Sequence, residues 1–157
     1  MSFLSKEPKA AAEAVAEVAT GARLIPRITI QAFCEHSQTA QLIESAIHDR
    51  RMSKVALTTH NGGLDGAVET YRSNPTPNLI IVETTLPPAE IPAGLERLAE
   101  VCDATTRLIV LGHANDVLLY RELIRSGVSE YIWLPASASS IVTAITDLFA
   151  AEGAAPI

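Results

Sequence analysis

Apolar and polar positions follow two rhythms along this chain. Five short runs are rich in apolar and β-branched residues: Arg27–Phe33 (RITIQAF), Lys54–Thr59 (KVALTT), Asn78–Glu83 (NLIIVE), Arg107–Leu111 (RLIVL) and Tyr131–Leu134 (YIWL). Such runs predict strands. The third and fourth are almost continuously apolar, as strands buried on both faces must be. Between them the spacing becomes helical. Ser37 is placed to cap a helix with Ala40, Ile43 and Ile47 on one side. Leu64–Ser73 suits a second helix, and Leu95, Leu98, Ala99 and Cys102 form the stripe of a third. Asp116 caps a fourth that contains Val117, Tyr120 and Ile124 and that Gly127 ends. A fifth opens at Ser137–Ser140 and carries Ile141, Ile145, Leu148 and Phe149. His60-Asn61-Gly62-Gly63, Pro75 with Pro77, Pro87 with Pro88 and Pro92, and Pro135 punctuate the elements. Five strands alternating with five helices predict the α/β class: a doubly wound, five-stranded parallel sheet with right-handed crossovers.

The first 26 residues stand apart. Lys9–Thr20 is rich in Ala and Glu with a thin apolar face, which predicts an N-terminal extension, partly helical or flexible, over residues 1–26. The domain is expected over 27–152, with 153–157 starting a linker. At 157 residues and 48% apolar content the chain suits one domain with a real core, and 19% charged residues exclude wholesale disorder. Twelve Lys and Arg against 18 Asp and Glu give a net charge of −6, which argues against nucleic acid as a partner. The apolar runs are too short for membrane insertion. Glu7, Glu13 and Glu17 stand where a secretory leader would be uncharged. Two cysteines, Cys34 and Cys102, make no disulfide framework, so a cytoplasmic protein is expected.

Functional groups of such a sheet gather at the carboxyl ends of its strands. Here those ends are Cys34-Glu35-His36, His60, Glu83-Thr84-Thr85, Gly112-His113 and Leu134-Pro135. Glu35, His36, Glu83 and His113 are the candidate metal ligands, with His60 a further strand-end histidine. No HxH or HExxH spacing supports them, so the expectation is no metal and no cofactor. Cys34 and His36 share a side of an extended segment. No oxyanion hole accompanies them, and Cys34 reads as a buried structural residue. Asn61–Gly66 is glycine-rich without GxGxxG spacing and reads as a flexible turn.

Two segments carry a family resemblance. Pro77-Asn78-Leu79-Ile80-Ile81-Val82-Glu83-Thr84-Thr85-Leu86-Pro87 resembles the phosphoacceptor strand of response-regulator receiver domains, and Gly127–Pro135 resembles their last strand with its Lys-Pro ending. The resemblance spans roughly Arg27–Glu152 and implies a receiver (flavodoxin/CheY-like) fold with strand order 2-1-3-4-5. That order would place His36 and His113 beside Glu83. The reactive positions depart from the family. Glu83 stands for the Asp nucleophile, Cys34 and Glu35 for the acidic metal pair, Gly112 for the phosphate-binding Thr or Ser, and Leu134 for the Lys. The aromatic switch position survives as Tyr131. Phosphoryl transfer needs metal and cation stabilisation, so this degenerate pocket should not accept a phosphoryl group. Glu83 then reads either as a solvent-facing strand end or as a mimic of a phosphorylated Asp.

Phe33-Cys34, Asn78–Glu83 and Gly127-Val128-Ser129-Glu130-Tyr131 ahead of Pro135 are similar to one family in particular. They resemble the N-terminal atypical receiver domain of TadZ/CpaE-like tight-adherence pilus assembly proteins. Those proteins carry a MinD/ParA-like ATPase domain after it and localise pilus machinery at the cell pole. No phosphate loop occurs in this chain, so the resemblance implies either a fragment of such a protein or a stand-alone relative. The expected function is a non-catalytic pseudo-receiver acting in protein–protein interaction and localisation. Its expected partners are a second copy, in a homodimer, and other pilus-assembly or signalling proteins. The alternatives are a true receiver in two-component phosphorelay and a small metal-dependent enzyme at the strand ends. Leu118, Leu119, Tyr120, Ile132 and Trp133 are the interface candidates, and strand alternation forbids Trp133 and Leu134 from both being exposed.

Overall fold

The computed structural model describes residues 25–154. The chain runs β1 (Ile28–Cys34), α1 (Ser37–Ala46), β2 (Val55–Asn61), α2 (Gly63–Tyr71), β3 (Leu79–Thr84), α3 (Ile91–Val101), β4 (Arg107–Gly112), α4 (Val117–Arg125), β5 (Glu130–Trp133) and α5 (Ala138–Ala154). Short 3₁₀ turns at Arg50–Met52 and Pro88–Glu90 precede β2 and α3. The extension expected over residues 1–26 lies almost wholly outside the described residues.

All five strands are parallel, in the order β2-β1-β3-β4-β5. Each strand is joined to the next parallel one through a helix, as parallel pairing requires. The alternation of side chains divides the core in two. On one face Ile30, Ala32, Cys34, Leu79, Ile81, Ile109 and Leu111 pack under α1 and α5, with Ile25 just ahead of β1. On the other, Phe33, Ile80, Val82 and Val110 pack under α2, α3 and α4. The central strand β3 is buried at all six positions, as its apolar run demands.

Several local expectations shift. β2 does not break at His60 but continues to Asn61, because the ladder with β1 carries on through Phe33↔His60 and Cys34↔Asn61. Ser37 is not the cap of α1. His36 takes that position in extended conformation, and its carbonyl accepts from the Thr39 and Ala40 amides. In α3, Ala99 faces solvent, and Ile91, Leu95 and Leu98 form the buried stripe. Asp116 does cap α4, its carboxylate accepting from the Leu119 amide at 3.1 Å. The chain leaves α4 through Gly127 at φ 109°. Leu119 is the main correction. It is buried with Leu123 on the inward face of α4, one helical turn apart, and drops out of the interface candidates.

Candidate functional site

The site is built where β1, β3 and β4 end side by side. Glu83 follows Leu79 and Ile81 in the alternation of β3, so its side chain points to the α1/α5 face. It is fully buried, which removes the solvent-facing reading. A carboxylate without water needs donors from the protein itself. Four supply them. The backbone amides of Glu35 and His36 donate to Oε1 at 2.7 and 3.1 Å. Nδ1 of His36 and Nε2 of His113 meet Oε2 at 2.6 and 2.8 Å. The two imidazoles stand edge to face with centroids 5.5 Å apart.

Burial alone would raise the Glu83 pKa. The two histidine hydrogen bonds and the two backbone amides outweigh it and hold the carboxyl at about 2. The same hydrogen bond and charge push the His36 pKa upward. The shift favours the protonated form of His36 beside the carboxylate, and the Glu35 and His36 amides just ahead of α1 face the same group.

Glu35, the remaining candidate, turns away from this cluster. Its carboxylate accepts from Thr85, at 2.7 Å from the hydroxyl and 3.2 Å from the amide. The sequence places Thr85 at a strand end and Gly63 in a glycine-rich turn, but links neither to Glu35. Gly63 has φ 54°, and a Cβ there would stand 2.6 Å from Glu35 Cγ and 2.7 Å from the Glu83 carbonyl. The glycine lets the start of α2 close on the site. The double glycine at 62–63 was a visible signal of a special backbone, though not of what it approaches. His60 also stays out of the cluster and stacks on Phe33, centroids 4.8 Å apart. Cys34 is buried, and desolvation, with the Glu83 charge behind it, raises its thiol to about 11. That thiol is no nucleophile at neutral pH.

A groove of about 360 Å³ adjoins the histidines, lined by Gln38, Thr39, Leu42, Leu134, Pro135 and Ala136. Among the described residues, His36, Glu83 and His113 are the set able to hold a metal, their donor atoms all within 4.8 Å of one another.

Known structures share this arrangement of strands. A pilus assembly protein CpaE from Caulobacter crescentus matches at 47% identity with a TM-score of 0.78, over 80% of this chain and 95% of that one. The chain belongs to the CpaE pilus assembly family. A CpaE2 pilus assembly protein from Sinorhizobium meliloti matches at 36% identity and a TM-score of 0.75, over 77% of this chain and 99% of that one. A LuxR-family response regulator from Aurantimonas, at 17% identity and a TM-score of 0.63 over 80% of this chain and 87% of that one, shares the receiver fold. No family model and no curated protein matches the sequence.

In this CpaE-family domain Leu134 and Gly112, expected from the resemblance to stand at a receiver's reactive positions, are packing positions. Leu134 is buried with Ile141 and Ile145 in the core under α5. At Gly112 a side chain would collide with the Tyr131 ring, whose hydroxyl donates to the Ala114 carbonyl at 2.7 Å. On the far edge of the CpaE-like sheet, Trp133 is 48% exposed while Leu134 turns inward, as alternation requires. Leu118 and Tyr120 are exposed on α4, and Ile132 is half-buried against the core. Among the described residues, no helix is long and apolar enough to cross a membrane.

Proposed function

We propose that the domain keeps the receiver fold without the receiver reaction, and serves a pilus assembly protein as a docking module that pairs with a second copy. The Glu83 carboxylate carries this reading: it is fully buried, and both oxygens are engaged by donors of its own domain. An acceptor of phosphoryl groups has to present a carboxylate oxygen in line with the leaving group, with cations to absorb the developing charge. Leu134 brings no cation and Gly112 no hydroxyl.

The docking role is supported by the edge formed by α4 and β5. Val117, Leu118, Tyr120, Ile124 and Trp133 are all exposed there, at 62, 75, 40, 37 and 48%. Val117, Tyr120 and Trp133 line a common crevice. An apolar cluster on the open edge of a sheet calls for a cover. Charge favours a second copy as that cover. The outward side of α4 carries Arg121 and Arg125, while Glu130 and Asp147 line the neighbouring edge between β5 and α5. A two-fold pair sets the basic helix of one copy on the acidic edge of the other. Other pilus-assembly or signalling proteins would meet the dimer in the cytoplasm and recruit it to the cell pole.

Two measurements test the reading. Incubation with acetyl phosphate and Mg²⁺ leaves the intact mass unchanged; a hydroxylamine-labile adduct on Glu83 overturns the first half. Light scattering gives a dimer, and Trp133→Ala weakens it by about 1–3 kcal/mol. A monomer persisting at high micromolar concentration overturns the second half.

A further inference from the structure

The His36–Glu83–His113 cluster at the strand ends has more ligating capacity than one buried carboxylate needs. Oε1 of Glu83 is already satisfied by two backbone amides, at 2.7 and 3.1 Å. Its other oxygen receives two imidazole nitrogens from residues 77 positions apart in sequence (36 and 113), carried on different strand ends. One imidazole would suffice to neutralise one carboxylate.

We infer that His36 Nδ1, His113 Nε2 and Glu83 Oε2 form a binding site for a transition-metal dication of the Zn²⁺ class. The donor set decides the class. Two imidazoles and one carboxylate suit Zn²⁺, Co²⁺, Ni²⁺ or Cu²⁺, whereas Mg²⁺ and Ca²⁺ select oxygen-only surroundings. The site therefore differs in chemistry from the all-oxygen pocket of a phosphorylatable receiver, and shares with it Glu83 alone.

The geometry fits this class. The three donor atoms lie within 4.8 Å of one another. Two ligands on one tetrahedral Zn²⁺ stand about 3.3 Å apart, given bonds of about 2.0–2.1 Å. The nitrogens are 2.6 and 2.8 Å from Oε2 and lie within 4.8 Å of one another, so as the ion enters each ring must both retreat from Oε2 and swing towards the other. Both can, because the His36 and His113 side chains are 50 and 40% exposed. The carboxylate does not need to move: the amides on Oε1 fix its orientation, the outer-shell support that metal-binding carboxylates commonly have. Three protein ligands leave coordination positions open, and the groove lined by Gln38, Thr39 and Pro135 lies directly beside both rings. Water or a donor from a bound partner completes the shell there.

The test uses the purified protein after treatment with chelator. Titration with Co²⁺ should give visible ligand-field bands saturating at one ion per chain, and Zn²⁺ should displace them. His36→Ala and His113→Ala should each weaken binding at least about tenfold, the loss that even an outer-shell partner causes. His48→Ala and His60→Ala, outside the cluster, should leave it unchanged. On the unaltered protein, imidazole NMR signals of His36 and His113 should shift with Zn²⁺ while those of His48 and His60 stay in place, a readout that needs no variant to fold. The inference is overturned if no bands appear with Co²⁺ in excess, if they persist in the His36→Ala/His113→Ala double variant, or if the signals of His48 or His60 shift instead.

Discussion

Gly112 and Tyr131 show how a single position closes off a chemistry. The Tyr131 ring leans over the glycine, one diagonal step across the β4–β5 ladder, where Val110 is its direct partner. A hydroxyl-bearing residue at 112 and an inward Tyr131 exclude each other. Gly112→Ser should therefore cost about 1–3 kcal/mol in urea denaturation, the usual cost of overpacking. In a Tyr131→Ala background the same substitution should cost close to nothing, a coupling that a double-mutant cycle measures directly. Glu83 and His36 make a second prediction at this scale, for metal-free protein. Hydrogen bonds hold the folded Glu83 pKa at about 2, below its ordinary 4.5, so its contribution is present above about pH 4.5 and is lost as pH falls towards 2. The folded His36 pKa is raised above 6.5, so its contribution is complete below about pH 6.5 and fades as pH rises through the folded value. The pair stabilises most between those limits. Urea midpoints measured across pH should show both limbs, and Glu83→Gln should flatten them.

Among the elements, α4 shows how far periodicity can be trusted. Leu118, Leu119 and Tyr120 are three adjacent large residues, and only the turn of the helix separates Leu119, which pairs inward with Leu123, from its exposed neighbours. The strands were legible for the opposite reason. NLIIVE and RLIVL are apolar without alternation because both faces of β3 and β4 are covered. The proximity of His36 and His113 to Glu83 followed from strand order. The burial of Glu83 did not, because it depends on two backbone amides that no side-chain pattern reveals. The link from Glu35 to Thr85 was hidden in the same way, by a loop conformation. The last helix, α5, carries its own test. Thr146 is 4% exposed, and its hydroxyl has no hydrogen-bond partner among the described residues. Thr146→Val keeps the shape and removes an unsatisfied group, so it should raise stability by about 1 kcal/mol in thermal or urea unfolding.

For the molecule as a whole, the sheet has two unlike borders. β2 forms one, short of full burial along its length, and β5 forms the other, four residues long and flanked by the exposed apolar cluster. The strand-end site and the exposed apolar edge are thus separate: the first is a held carboxylate, and the second is open among the described residues. Between the borders, β3 has a strand on either side, and all six of its residues are buried. Amide protons in such a strand meet solvent only when the entire domain opens, whereas a border strand exchanges through local fraying. In heavy water, Leu79–Thr84 should take up deuterium last, at a rate that tracks global stability, and β2 and β5 should exchange well before it. Uptake in β3 as fast as in β2 would contradict this order. Read in time instead of space, the centre of the sheet is a clock for unfolding, and it runs more slowly with every substitution, such as Thr146→Val, that stabilises the whole.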